Sequence, residues 1–304
     1  MPANFPEIWL ARVIINLTTA NEAPWLEGIP ELDVDVTEFG AGSASEKNTI
    51  HIPRSMFSPD VLINNTAYPI ALQAYTDDEV TINLDKYQTK PTTLSDDQII
   101  GGSYEKIDVI TKGHTVKIAS TKYKKAIHAI APAADTVNTP VLLATGDPLV
   151  SGGRKTLTYQ DLVTAKNLLG KSGGECPVEN RRMVLCPDHW DDLLRDRKNF
   201  GNTLVNYKTG DVAPVIAGFQ IYQYVGNPMF AAAGTKKAFG SVNEATDVQA
   251  SVMFYTPNIA KKTGLTKQYF AAAQNDPENQ VNKLNYRHYF IALPAQAKYV
   301  GAII

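Results

Sequence analysis

The sequence predicts an α+β protein, with extended segments first, a long helix in the middle and a mixed lobe of short strands and helices after it. Three observations carry that prediction. Apolar residues alternate with polar ones at Leu32, Val34 and Val36, the period of a half-buried strand. From Val109 to Ile130, apolar and small residues recur at steps of three and four, the period of a helix face. Beyond residue 157, helix-start signals and buried-strand runs follow one another at short intervals.

At 304 residues the chain has room for two ordinary domains or for one core with large excursions. Hydrophobic residues make up 44% and charged residues 20%, the balance of a soluble globular protein. The formal charge of -2 is nearly neutral. Binding of nucleic acid through phosphate neutralisation calls for a basic excess or stripe, so any such contact is expected to be local. Cys176 and Cys186 are the only cysteines and imply no disulfide framework. Met1 to Pro6 lacks the charged and apolar regions of a secretion signal. Apolar runs such as Val141 to Ala144 and Met229 to Ala233 fall far short of the ~20 residues that span a bilayer. Folding in the cytoplasm, without a membrane, is expected.

The first element is a helix, with Asn4 as N-cap, Glu7 three residues on, and Ile8, Trp9, Leu10, Val13, Ile14 and Leu17 inside. Its apolar residues cover more than one face, which suits a core helix or an arm docked partly on a neighbouring subunit. The strand pattern from Leu32 stops at the small residues of Gly40 to Asn48; Thr49 to Ile52 is extended and ends at Pro53, and Val80 to Leu84 is extended again. The excursion from Leu32 to Val80 carries turn signals at Ser58-Pro59-Asp60, Asn64-Asn65 and Thr76-Asp77-Asp78. It exceeds the ~15 residues of an ordinary loop, and its apolar content calls for a covering surface. An arm lying on a neighbour meets both demands and leaves an isolated copy with unpaired strand edges.

Ser95-Asp96-Asp97-Gln98 has the form of a capping box, so the long helix is expected to start at Ser95 or Ser103. Val109, Gly113, Val116, Ser120, Tyr123, Ile127 and Ile130 lie along one side of it, and Pro132 stops it. Glycines 101, 102 and 113 cost it up to ~1 kcal/mol each and predict a break or kink. Lys106, Lys112, Lys117, Lys122, Lys124 and Lys125 cluster on its other faces, a solvated face with nucleic-acid contact as the alternative. Residues 132–157 read as a connector. The second lobe opens with a helix capped at Thr158, with Leu162, Val163, Ala165, Leu168 and Leu169 inside and Gly170 as its stop. Arg182 to Cys186 is a buried strand, Pro187-Asp188 opens a short helix with Trp190, Leu193 and Leu194, and strands follow at Phe219 to Tyr224 and Tyr286 to Leu293.

Chemistry-bearing motifs are missing. Cys176, Cys186 and His189 have spacings of nine and two residues that match no common zinc knuckle. The sequence has neither a phosphate-binding glycine loop nor a Gly-x-Ser-x-Gly elbow. The pairs Asp77/Asp78, Asp96/Asp97 and Asp191/Asp192 are adjacent, so their side chains diverge on a helix or strand. His51, His114, His128, His189 and His288 are scattered. No catalytic residue, cofactor or metal is expected.

The order of elements resembles the tailed-phage major capsid proteins of the Hong Kong 97-type fold. Thr49-Ile50-His51-Ile52-Pro53 and Val80-Thr81-Ile82-Asn83-Leu84-Asp85 look like the two sides of that family's E-loop, and Ser95 to Ala131 like its spine helix. Arg182 to Leu194 and Gly210 to Ile221 resemble its A-domain segments. The resemblance implies an N-terminal arm at 1–30, an E-loop at 31–80, a P-domain at 81–150, an A-domain at 151–260 and a return to the P-domain at 261–304. It further implies hexamers and pentamers of one chain closing an icosahedral shell around double-stranded DNA, in a virion assembled in the bacterial cytoplasm, with a portal. Because Met1 stands directly on the arm, a separate scaffolding protein is expected. Trp9, Val13, Val34, Val36, Ile50 and Ile52 would make inter-subunit contacts, and Lys106, Lys117 and Lys124 would face DNA. Lys47 with Asn282 or Asn285 could be cast as a crosslinking pair by position. The rival readings are an encapsulin-type compartment shell and a cytoplasmic α/β enzyme with an unrecognised site.

Overall fold

The computed structural model of the chain describes residues 23–33, 49–55, 60–66, 68–73, 77–95, 105–150, 153–174, 176–196, 205–206, 211–276 and 278–304. The expected N-terminal helix, Val34, Val36 and Lys47 lie outside them.

Among the described residues, strands β1 (Thr49–Ser55) and β2 (Asp77–Asn83) pair only with each other, antiparallel, with Ile50 opposite Ile82 and Ile52 opposite Val80. The expected stop at Pro53 is corrected: β1 runs on to Ser55, with Pro53 opposite Glu79. A proline lacks a ladder donor, and a strand tolerates that loss on a side that, among the described residues, meets no other strand. β2 likewise starts three residues before Val80 and hands over, through Leu84, to β3 (Asp85–Gln88) and β4 (Thr92–Ser95). Ser95 is the last residue of β4 and pairs with Val281; the helix start expected at Ser95 or Ser103 involves residues 96–104, which lie outside the described residues.

Helix α1 (Glu105–Ile130) is unbroken across Gly113. Its 26 residues make a rod of about 39 Å. The expected buried side is only half right. Tyr123, Ile127 and Ile130 are buried, but Val109 and Val116 are 67% and 50% exposed, and the inward line continues through Ala119, Ile118, Thr115, His114 and Thr111. Lys122, expected among the solvated lysines, is 1% exposed. Its ammonium lies 4.7 Å from the Tyr123 ring centre, 5.0 Å from that of Phe290 and 3.4 Å from His288 Nε2. At the helix end, Lys236 Nζ donates to the carbonyls of His128 (2.8 Å) and Ala131 (2.6 Å). These carbonyls have no partner within the helix, and a cation there also suits the helix dipole.

The second lobe comprises β5 (Val141–Leu142), α2 (Tyr159–Lys171), β6 (Arg181–Leu185), α3 (Pro187–Arg195), β7 (Val205–Asn206), β8 (Asp211–Val212), β9 (Val215–Ile216), β10 (Phe219–Gln223), β11 (Met229–Phe230), β12 (Val248–Gln249) and β13 (Ser251–Tyr255). β14 (Ile259–Ala271), β15 (Val281–Pro294) and β16 (Val300–Ile303) close the chain. Two principal sheets result. One has β14 beside β15, with β3 and β4 both on the other edge of β15; the other runs β5-β16-β13-β6-β10-β9. Within the expected return segment 261–304, β16 thus joins the second-lobe sheet, and the connector 132–157 contributes β5 to it. One buried cluster spans both sheets: Ile118, Tyr123, Ile127 and Ile130 of α1 meet Leu284, Tyr286 and Phe290 on one side and Val184, Val252 and Phe254 on the other.

Polar anchors fix the rest. The capping box of α2 is present: Thr158 Oγ1 accepts from the Asp161 amide, and the Asp161 carboxylate accepts from the Thr158 amide at 2.9 Å. α2 passes Gly170 and ends at Lys171, and Val163 and Leu168 stay partly exposed beside buried Leu162, Ala165 and Leu169. Arg154 grips the buried Asp192 carboxylate with two bonds of 2.6 and 3.0 Å, and the same carboxylate accepts from the Leu157 amide. The segment 23–33 straps the sheets together. Arg182 donates to the carbonyls of Trp25 and Glu27, and the Leu32 amide donates to Lys261. Of the strand expected from Leu32, the described part shows a single bridge, Glu31 to Lys261.

Two stability tests follow from these contacts. A Cβ added at Gly113 meets nothing within 4 Å, so Gly113→Ala is expected to raise the unfolding free energy of the unassembled subunit by about 0.5–1 kcal/mol in urea denaturation. Asp192→Asn, which removes the buried carboxylate and leaves the partly exposed Arg154 only its 3.7 Å contact to Asp188, is expected to lower it by about 1–3 kcal/mol.

Candidate assembly surfaces

The β1–β2 arm ends in a tip that its own copy leaves uncovered. Val61, Ile63 and Leu72 are 82%, 83% and 102% exposed, and Leu62, Tyr68 and Ile70 are exposed beside them. Burying each such aliphatic side chain contributes about 1.5–3 kcal/mol. Contiguous apolar exposure of this kind marks a contact surface. Sequence reasoning named Ile50 and Ile52 of the arm and missed these tip residues. The available signal was the pair of apolar runs flanking Asn64-Asn65. Ile50 and Ile52 fall in the β1 ladder; Trp9, Val13, Val34 and Val36 lie outside the described residues.

A second feature is a cleft of about 780 Å³ between α1 and the β3–β4 crossing, lined by Tyr87, Thr92, Val109, Ile110, Gly113 and Ile118, with Lys86, Lys90 and Lys117 among its walls. Of the lysines expected to face DNA, Lys117 and Lys124 are exposed on α1, and Lys106 falls in its first turn. Lys125 is tied to Asp85 at 2.6 Å. Asn282 is buried and accepts from the Ala273 amide, whereas the Asn285 amide reaches the Thr89 carbonyl at 3.5 Å.

The buried titratable groups are structural. His189 Nδ1 and Ser251 Oγ lie 2.7 Å apart, and Ser251 Oγ accepts from the Cys186 amide. All three residues are enclosed, at 1% exposure or less, so a substrate has no path to them. Burial, and next Arg154, push His189 down to about 4. Burial, and next Lys122, push His288 down to about 3. A neutral His288 fits its partners: Nε2 accepts from Lys122 while Nδ1–H donates to Thr266 Oγ1 at 2.9 Å. Asp191 and Asp192 diverge as expected of neighbours, the first exposed and the second buried. Among the described residues no group of three or more His, Cys, Asp or Glu could hold a metal ion, and no helix is long and apolar enough to cross a membrane.

An extended two-stranded arm, a long helix on a four-stranded sheet and a second lobe on a six-stranded sheet together make the Hong Kong 97-type fold of viral shell subunits. The chain belongs to the phage capsid protein family, whose model matches residues 77–303. Solved structures share the fold at low identity. The capsid of cyanophage P-SCSP1u is similar at 15% identity and a TM-score of 0.60, over 84% of this chain and 82% of that one. The mature capsid of bacteriophage PhiM1 is similar at 14% identity and a TM-score of 0.54, over 84% and 81%. A virus-like particle from Pyrococcus furiosus is similar at 8% identity and a TM-score of 0.57, over 99% and 100%. No curated protein matches the chain.

The two histidines set an acid limit on stability. Unfolded, each takes up a proton near pH 6.5; folded, they resist until about 4 and about 3. The unfolded state therefore binds more protons across that window, and stability falls as pH drops below about 6.5. The urea midpoint of the unassembled subunit is expected to decline from about pH 7 to 4, and His288→Leu to decline less steeply, whatever its midpoint at neutral pH.

Proposed function

We propose that the chain is a major capsid protein, assembling as hexamers and pentamers into an icosahedral shell around phage double-stranded DNA. The observation that carries this reading is the apolar tip at 61–72, held out on a two-stranded ladder. A solitary enzyme gains nothing from such an arm, whereas a neighbouring copy can bury it. In this reading residues 49–83 act as the E-loop, α1 as the spine helix and the six-stranded lobe as the A-domain. Ile50 and Ile52, with Trp9, Val13, Val34 and Val36, contribute to contacts between subunits. The role is structural, so neither a catalytic site nor a cofactor is assigned.

Lys117 and Lys124, with Lys106, are the proposed DNA-facing cations. Near-neutral net charge suits a shell that confines DNA mechanically, since tight phosphate neutralisation would demand more cations. Assembly in the bacterial cytoplasm, with a separate scaffolding protein and a portal, completes the proposal. The family match to phage capsid protein favours a genome over enzyme cargo as the contents.

Removal of residues 40–75 is expected to leave the second lobe folded and to abolish closed shells in negative-stain electron microscopy. Shells formed without the arm would overturn its assigned role. A full-length chain that stays a compact monomer with scaffold supplied would overturn the shell reading itself.

A further inference from the structure

Two apolar surfaces of this chain stand uncovered at the same time. One is the tip of the arm, described over residues 60–66 and 68–73, where Val61, Ile63 and Leu72 are largely exposed. The Asp60 amide donates to Gln73 Oε1 at 2.9 Å, which ties the two ends of the tip together. The other is the cleft of about 780 Å³ between α1 and the β3–β4 crossing. Val109 stands exposed on its wall, and a Cβ added at Gly113 would meet nothing within 4 Å, so the cleft has open space there.

Volume and polarity restrict what fits. At about 780 Å³ the cleft lies in the size range of sites that enclose a ligand as large as several side chains. Its most buried polar side chain, His114, is already bonded to Thr92 Oγ1 at 3.0 Å, and burial holds it below the usual histidine range. Charge enters only through the walls: Lys86, Lys90 and Lys117 line the cleft, and no carboxylate does.

The tip carries the matching character. Asp60 is the single charged residue among its described positions. Asp60 and Lys90 are both exposed, and among the described residues neither enters an ion pair. Lys117, assigned to DNA above, comes from α1, so Lys90 of the β3–β4 turn is the cation left for the tip. Within one copy the two surfaces do not cover each other, since both are exposed in the same structure. Burial of such apolar surface on another copy is favourable.

We propose that the cleft between α1 and the β3–β4 crossing seats the arm tip of a second copy, with Asp60 of the tip beside Lys90 of the cleft. The inference rests on the shell reading above and names the surface that covers the arm. An apolar centre with a charge pair at its rim gives every tip the same register on its receptor, because the pair adds specificity more than affinity.

The test uses full-length chain with scaffold supplied. Gly113→Trp, which fills the open space, is expected to lower the yield of closed shells about tenfold while the unassembled subunit melts like wild type. Gly113→Ala keeps the normal yield. If Gly113→Trp also lowers the melting temperature, Val109→Asp on the exposed wall takes its place. Wild-type yield from both overturns the proposal, and closed shells of either that lack DNA or scaffold assign the cleft to that partner instead. Co-assembly of a chain carrying Ile63→Cys or Leu72→Cys with a tagged chain carrying Val109→Cys gives a second measurement, in which the native Cys176 and Cys186 are buried. After oxidation, a joined pair of unlike chains on a non-reducing denaturing gel supports the contact, and monomers alone from intact shells overturn it. Lys90→Glu in the Val109→Cys chain is expected to weaken that band severalfold, and Asp60→Lys in the tip chain to restore it; an unchanged band overturns the seating of Asp60 on Lys90. If wild-type chain forms no shells, the shell reading itself fails, which differs from shells that close normally with the cleft filled.

Discussion

Burial of one side of α1 between the two sheets is the constraint on which the rest of the molecule depends. Ile118, Tyr123, Ile127 and Ile130 join residues of β15 and β13 in a single cluster, so the lobes cannot separate without opening it. The same packing sets the faces of the four-stranded sheet. Once Leu284, Tyr286 and Phe290 are committed to the helix, strand alternation sends Lys283 and Arg287 to the other side. The helix end is equally committed, because Lys236 satisfies its last carbonyls from the second lobe.

Within that core the chain accepts polar groups at specific places. Lys122, His288 and Thr266 form a connected line between α1 and the sheet, with the aromatic rings of Tyr123 and Phe290 beside the ammonium. Such a line demands one register between helix and strand, because a slip would leave buried donors unmet. The arm contrasts with this. It is a two-stranded ladder carrying exposed aliphatic side chains, and two strands alone are marginally stable in water. Core and arm therefore differ: one gives a copy its shape, the other leaves apolar side chains exposed.

Much of the second lobe was legible because its signals are local. The capping box at Thr158, the apolar run at 181–185 and the proline opening α3 each depend on a few consecutive residues. The first half of α1 was not. Val109 and Val116 have the spacing of a buried stripe, yet Thr111, His114 and Thr115 occupy the inward line. Helical periodicity names the faces of a helix without saying which one the sheet will cover. The tip of the arm, 61–72, carried a readable apolar signal, whereas its exposure could be seen only once the rest of the chain had folded without covering it.

By itself the sequence determined the α+β class, the order of arm, helix and second lobe, and the absence of any recognisable catalytic motif, because composition, periodicity and capping are properties of neighbouring residues. Only the tertiary structure decided that Lys122 leaves its lysine cluster for the core, that β16 closes the second-lobe sheet, and that Lys267 and Arg287 stand opposite each other across the β14–β15 ladder. Each of these depends on which distant strand or helix arrives next to a residue. That is set by how the whole chain buries its apolar surface, and no local pattern encodes it.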